Sequence, residues 1–80
     1  MRPEELESGL LIRRGRGEVL TVTRVFKRVF HARQELLDDG EPPPHSTVHT
    51  FPMESAVLFD LASGRDRKRV KRAYRGEERA

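Results

Sequence analysis

Between Leu10 and Val25 the chain carries the pattern of a β-hairpin. Leu10-Leu11-Ile12 is apolar. Arg13-Arg14-Gly15-Arg16-Gly17 supplies glycines that can take the positive φ of a tight turn. Glu18-Val19-Leu20-Thr21-Val22-Thr23-Arg24-Val25 is dense in β-branched residues. Alternation puts Leu20, Val22 and Arg24 on one face, with Val19, Thr21, Thr23 and Val25 on the other. The 80 residues suffice for one domain with a thin core. A two-lobed enzyme with a deep cleft is excluded.

The segments after the hairpin are less determinate. Val25/Phe26, Val29/Phe30 and Leu36/Leu37 recur at helix-compatible steps, and Ala32-Arg33-Gln34-Glu35-Leu36-Leu37 is good helix-forming sequence. This predicts a strand to about Val25 and a helix over about 27–37. Glu41-Pro42-Pro43-Pro44-His45-Ser46 is a semi-rigid extended connector. Thr47-Val48-His49-Thr50-Phe51 alternates as a strand and stops at Pro52. Met53 to Gly64 fits either a helix with Val57, Leu58, Leu61 and Ala62 as its stripe, or a strand over Ala56-Val57-Leu58-Phe59-Asp60-Leu61. The strand is the reading adopted. The turn Ala62-Ser63-Gly64-Arg65-Asp66 then returns it into Lys68-Arg69-Val70-Lys71-Arg72-Ala73-Tyr74. Under the helix reading that last segment becomes a basic helix or tail.

The fold expected from these pieces is mainly β. It has four or five short strands and one inserted helix, in a single domain over residues 9–75. Residues 1–8 make a flexible acidic lead-in, 41–46 a Pro-rich loop and 76–80 a flexible tail. The alternative is an α+β fold with a hairpin and two helices. Leu11, Val19, Leu20, Val22, Val29, Phe30, Val48, Val57, Phe59 and Val70 are the expected core.

Charge is segregated along the chain, although the net is only +3. Arg13, Arg14, Arg16, Arg24, Lys27, Arg28 and Arg33 face only Glu18 within residues 10–33. Residues 34–64 hold Glu35, Asp38, Asp39, Glu41, Glu54 and Asp60 with no Lys or Arg. Arg65, Arg67, Lys68, Arg69, Lys71, Arg72 and Arg75 then crowd against Asp66 alone. All 16 basic residues but Lys27, Lys68 and Lys71 are Arg, whose planar fork suits phosphates and carboxylates. A GC-rich genome also raises Arg usage, so the segregation carries more weight than the count.

Several chemistries are disfavoured. The absence of Cys excludes disulfides, cysteine zinc sites and thiol catalysis, and fits an intracellular, cytoplasmic protein. No apolar run approaches the ~18 residues of a membrane span, and the first residues do not resemble a signal peptide. Ser8, Ser46, Ser55 and Ser63 lie in no Gly-x-Ser-x-Gly elbow, and Gly15 and Gly17 make no P-loop. A paired-carboxylate mechanism can be written with Asp38 and Asp39, or with Glu54 and Asp60, but adjacent carboxylates before a Gly-Glu-Pro loop read more readily as a solvated turn. His45 and His49 would point the same way in a strand, but nothing nearby completes a metal spacing. No enzymatic activity and no cofactor or metal are expected.

The pattern resembles a small SH3-like barrel of the Tudor or KOW kind. The likeness rests on Gly15-Arg16-Gly17-Glu18-Val19-Leu20-Thr21-Val22, then Val57-Leu58-Phe59-Asp60, Gly64, Lys68-Arg69-Val70 and Ala73-Tyr74. It is similar to the barrel at the C-terminus of UvrD-like DNA helicases. Residues 26–50 depart from that pattern, being far longer than the usual connection. The resemblance implies a module that docks on nucleic acid, or on a nucleic-acid enzyme such as a helicase or RNA polymerase.

The residues themselves point to phosphate contacts made by Arg13, Arg14, Arg16, Arg67, Lys68, Arg69, Lys71 and Arg72 on one basic rim. Phe51 and Tyr74 are candidate stacking partners for a base and equally candidates for the core. The competing reading is a protein-interaction adaptor or inhibitor, such as a small phage-encoded or mobile-element protein. It would act through the acidic stretch from Glu35 to Glu41 and the Pro-rich loop.

Overall fold

The glycine-turn hairpin forms as its sequence requires, and the sheet grows outward from it. The computed structural model describes residues 1–78, with side chains through residue 74. Strands β1 (Leu11–Arg14) and β2 (Glu18–Val25) pair antiparallel, with Leu11 opposite Thr21 and Arg14 opposite Glu18. Gly15 turns the chain at a φ of 62°, a conformation costly for any residue with a Cβ. β3 (Val29–Leu36) and β4 (Val48–Pro52) extend the meander. A 3-10 segment, Met53–Leu58, leads into β5 (Asp60–Leu61), which returns to pair with β1. The strand order is β4-β3-β2-β1-β5, and α1 (Gly64–Glu78) follows.

The structure departs from several expectations. The helix foreseen over 27–37 is strand β3. Helix propensity there is overridden by the ladder with β2, which buries Phe30 and Ala32 together on one face. The strand foreseen over 56–61 is a 3-10 segment followed by two strand residues. It turns Ala56 and Phe59 inward and leaves Val57 70% exposed. The foreseen last strand over 68–74 is part of α1. Residues 1–8, foreseen as a loose lead-in, contain a 3-10 turn at Pro3–Glu5. They pack Met1 and buried Leu6 on the core. In the foreseen tail over 76–80 the backbone is helical through Glu78, and residues 79–80 lie outside the described residues.

The main core cluster lies on one face of the sheet. Ile12, Leu20, Val22, Phe30 and Ala32 are fully buried there beneath Ala56 and Phe59. Val19 and Leu36, also fully buried, pair on the other face. Rings of Phe30, Phe51 and Phe59 meet at centroid distances of 5.3 Å (Phe30–Phe51), 5.9 Å (Phe30–Phe59) and 5.2 Å (Phe51–Phe59). Such pairs add to the burial of their area. The cluster draws β3, β4 and the 3-10 segment together. Of the expected core, Val48 and Val57 face solvent, and Leu11, Val29 and Val70 are half-buried.

These placements separate two neighbouring residues. Phe59→Ala should cost about 3–5 kcal/mol, most of the stability of so small a domain. Val57→Ala should stay within about 0.5 kcal/mol, as exposed substitutions do. Urea denaturation followed by circular dichroism measures both.

Candidate nucleic-acid interface

The start of α1 is fixed by a reciprocal cap. Ser63 Oγ accepts the Asp66 N–H at 3.2 Å, while Asp66 Oδ2 accepts the Ser63 N–H at 2.9 Å and its hydroxyl at 3.0 Å. This is a capping box with Asp in the place usually held by Glu or Gln. Asp66 is 4% exposed and draws in two arginines. Arg69 Nη1 lies 3.4 Å from Oδ1, and Arg13 Nε lies 3.5 Å from Oδ2. Arg13 Nε is buried and makes no hydrogen bond, while its Nη2 donates to Gly15 O at 3.4 Å. Burial raises the Asp66 carboxyl's pKa. The two Ser63 hydrogen bonds and the charges of Arg13 and Arg69 outweigh that and leave it below the ordinary carboxylate value.

Arg69 reaches further, over the backbone of the sheet's end. A Cβ on Gly40 would come within 2.6 Å of Arg69 Nη2, and one on Gly17 within 3.1 Å of the same atom. The two glycines therefore form a slot for the guanidinium, bracing α1 against the β1–β2 turn and the loop at residues 38–40. Asp38 Oδ1 also accepts the Arg16 N–H at 3.2 Å, steadying that turn.

The result is an open depression of about 510 Å³ lined by Arg13, Arg16, Ser63, Arg65, Asp66 and Arg69. Four arginines from two distant segments line it, and two of them, Arg13 and Arg69, face the Asp66 carboxylate. Arg16 and Arg65 are exposed and make no ion pair among the described residues. The exposed cations Arg67, Lys68, Lys71 and Arg72 continue the positive surface along α1. Arg67, Val70 and Lys71 line a further open depression with Leu11, Thr21 and Glu35.

The foreseen rim thus unites Arg13, Arg16 and Arg69, with Arg67, Lys68, Lys71 and Arg72 along the adjoining helix. Arg14 does not join them. It alternates to the core face, pairs with Glu18, and sits 5.1 Å from the ring centroids of both Phe51 and Phe59. Phe51 is accordingly a core ring and not an open stacking platform. Tyr74 is half-buried near Arg33, Pro43 and Pro44. Arg33 pairs with buried Glu35 at 2.7 Å, and that hydrogen bond and charge raise its already high pKa. His49 Nε2 lies 2.9 Å from Gln34 Oε1. Among the described residues no three His, Asp or Glu groups converge as metal ligands.

Sequence reasoning missed Arg65 as part of the depression. It also missed the β2–β3 tip, where Arg24, Lys27 and Arg28 are exposed around Phe26. The run Val25-Phe26-Lys27-Arg28-Val29, two polar residues between apolar ones, carried that signal. Comparison with protein-family models, curated proteins and solved structures returns no match. Among the described residues no helix is long and apolar enough to cross a membrane.

The Asp66 clasp has a defined pH signature. Because its pKa is lowered on folding, its stabilisation is present above the unfolded value, near 3.8, and is lost as pH falls through the lower folded value. Asp66→Asn should be less stable than the parent by about 1 kcal/mol at neutral pH. That gap should close on acidification below about pH 4, measured as converging urea midpoints.

Proposed function

We propose that this chain is a non-catalytic accessory module that binds the phosphate backbone of nucleic acid, alone or beside an enzyme acting on the same strand. One observation carries the reading: Arg13, Arg16, Arg65 and Arg69 converge in a single depression continuous with the cations of α1. Asp66 neutralises only one of them, so the depression stays positive. Each phosphate seated there would release counterions and make binding salt-dependent. Such contacts position a strand without reading its sequence. A cytoplasmic site of action belongs to the same proposal.

We read the fold in the same sense, as an SH3-like barrel of the Tudor or KOW kind. In its favour are the four-stranded meander, the 3-10 segment between β4 and β5, and the return of β5 to β1. Two irregularities in the β2–β3 ladder, an extra residue at Glu35 in β3 and another at Thr23 in β2, supply the bending that closure requires. Helix α1 is an addition to that plan, and it brings half of the arginines.

A second reading, a protein-interaction adaptor, has Val57, Leu58 and Leu61 in its favour, all more than half exposed beside the short edge strand β5. The acidic and Pro-rich middle favours it less. Asp38 holds the Arg16 turn, Asp39 accepts the Glu41 N–H, and Pro42 lies against Arg69, Arg72 and Ala73.

Charge reversal separates the two. Arg16→Glu with Arg65→Glu touches no structural ion pair and should weaken nucleic-acid binding at low salt. The slope of log affinity against log salt should fall by about 0.7–0.9 for each phosphate left unneutralised. Reversal of Arg2, an exposed cation outside the depression, should leave that slope unchanged. Electrophoretic shifts at two salt concentrations read the outcome, and equal effects of all three reversals would refute a defined site.

A further inference from the structure

We infer that the tip of the β2–β3 hairpin is a base-stacking site, and that the module prefers single-stranded nucleic acid to duplex. The inference rests on the phosphate-binding reading above and names its substrate. Phe26 is 43% exposed at the tip, although the chain has few aromatic residues and buries Phe30 and Phe59 completely. Three exposed cations surround it, Arg24, Lys27 and Arg28, with no ion pair or side-chain hydrogen bond among the described residues.

The tip is held rigidly. The Phe26 N–H donates to Val29 O at 2.9 Å, and the Met53 N–H donates to Arg28 O at 2.8 Å, tying the turn to the end of β4. The Phe26 ring meets His31 edge-on at 5.0 Å, which fixes its direction. Little ordering remains to be done when a base arrives, so stacking is not offset by lost freedom.

Register extends the tip into a track. Val22 and Ala32 face the core, so Thr21 with Arg33, and Arg24 with His31, lie on the opposite face of the sheet. Arg67 and Lys71 of α1 border Thr21 on that face. From Thr21 to Phe26 the strand covers roughly 16 Å, room for a few nucleotides of an extended strand. A single strand can lay its phosphates along Lys71, Arg67 and Arg24 and turn a base onto Phe26. A duplex keeps its bases stacked inside and offers only phosphates. An acidic peptide would use the same cations and gain nothing from the ring.

The test uses the full chain with a short mixed-sequence oligonucleotide, single-stranded as DNA and as RNA, and as DNA duplex, read by fluorescence anisotropy at low salt. Phe26→Ala should weaken single-strand binding roughly five- to hundredfold, the range for losing one stacked base. Duplex affinity should change less than twofold, with an unchanged thermal melt showing that the exposed site tolerates the change. Phe26→Trp introduces the sole Trp of the chain and should retain single-strand affinity. Its emission should be quenched by either single strand and not by duplex. Equal losses for single strand and duplex in Phe26→Ala, no loss in either, or unquenched Trp emission at saturation would overturn the stacking site while leaving the phosphate reading intact. So would full displacement of the oligonucleotide by a poly-glutamate peptide of equal length and concentration. Failure of the parent to bind any of the three at low salt would remove both readings.

Discussion

A single buried carboxylate organises the basic half of this molecule. Asp66 closes the cap at the start of α1 through Ser63, and its outer oxygens hold Arg13 from β1 and Arg69 from the next helical turn. Burying a charge costs free energy, and here hydrogen bonds to the ionised form and two facing guanidinium groups offset that cost. Without the carboxylate, Arg13 and Arg69 would repel each other and helix α1 would lose its electrostatic tie to the sheet. With it, four arginines can share one depression. Structure and proposed binding surface therefore have a common origin. The residue that lets the cations approach is also the one that fixes where they stand.

Much of the sheet was legible because its periodicity agrees with its burial. Gly15, Gly17 and the β-branched run from Glu18 to Val25 specify the first hairpin locally, and the alternation of residues 47–51 marks β4. β3 was not legible for a definite reason. Residues 32–37 are good helix formers, and their alternation is masked because Gln34 and Glu35 are both buried beside the bulge at Val19/Leu20. Gln34 is satisfied by Leu36 O and His49, and Glu35 by Arg33, so polar residues occupy positions that a pattern search reserves for apolar ones. The final helix was announced by Ser63-x-x-Asp66, a capping box that also fits a turn. Lys, Arg and Ala after it favour the helix, whereas Val70 and Tyr74 at alternate positions imitate a strand.

The site was legible in charge and not in geometry. Segregated arginines announced a basic surface, and Arg13, Arg16 and Arg69 do meet although they are far apart in the chain. Arg13 and Arg14 are neighbours of identical chemistry that the strand sends to opposite faces. Arg13 joins Asp66, and Arg14 enters the aromatic cluster beside Glu18. Only the register of β1 decides between them, and register depends on partners elsewhere in the chain. Composition counts arginines, but pleating assigns them.

The pairing of Ile12 with Leu61 has a kinetic consequence. The pairings of β2 with β3 and β3 with β4 are made between successive segments, whereas this one must bring together strands near opposite ends of the chain. Loop-closure entropy makes such a contact late and slow relative to local hairpins. The central meander is therefore expected to assemble first, with β5 and then α1 settling onto β1 afterwards. The depression around Asp66 comes into existence only at that last step, since half its arginines belong to the helix. A polyanion bound there would act on unfolding rates, by holding shut the final closure, and leave the rate of initial collapse unchanged.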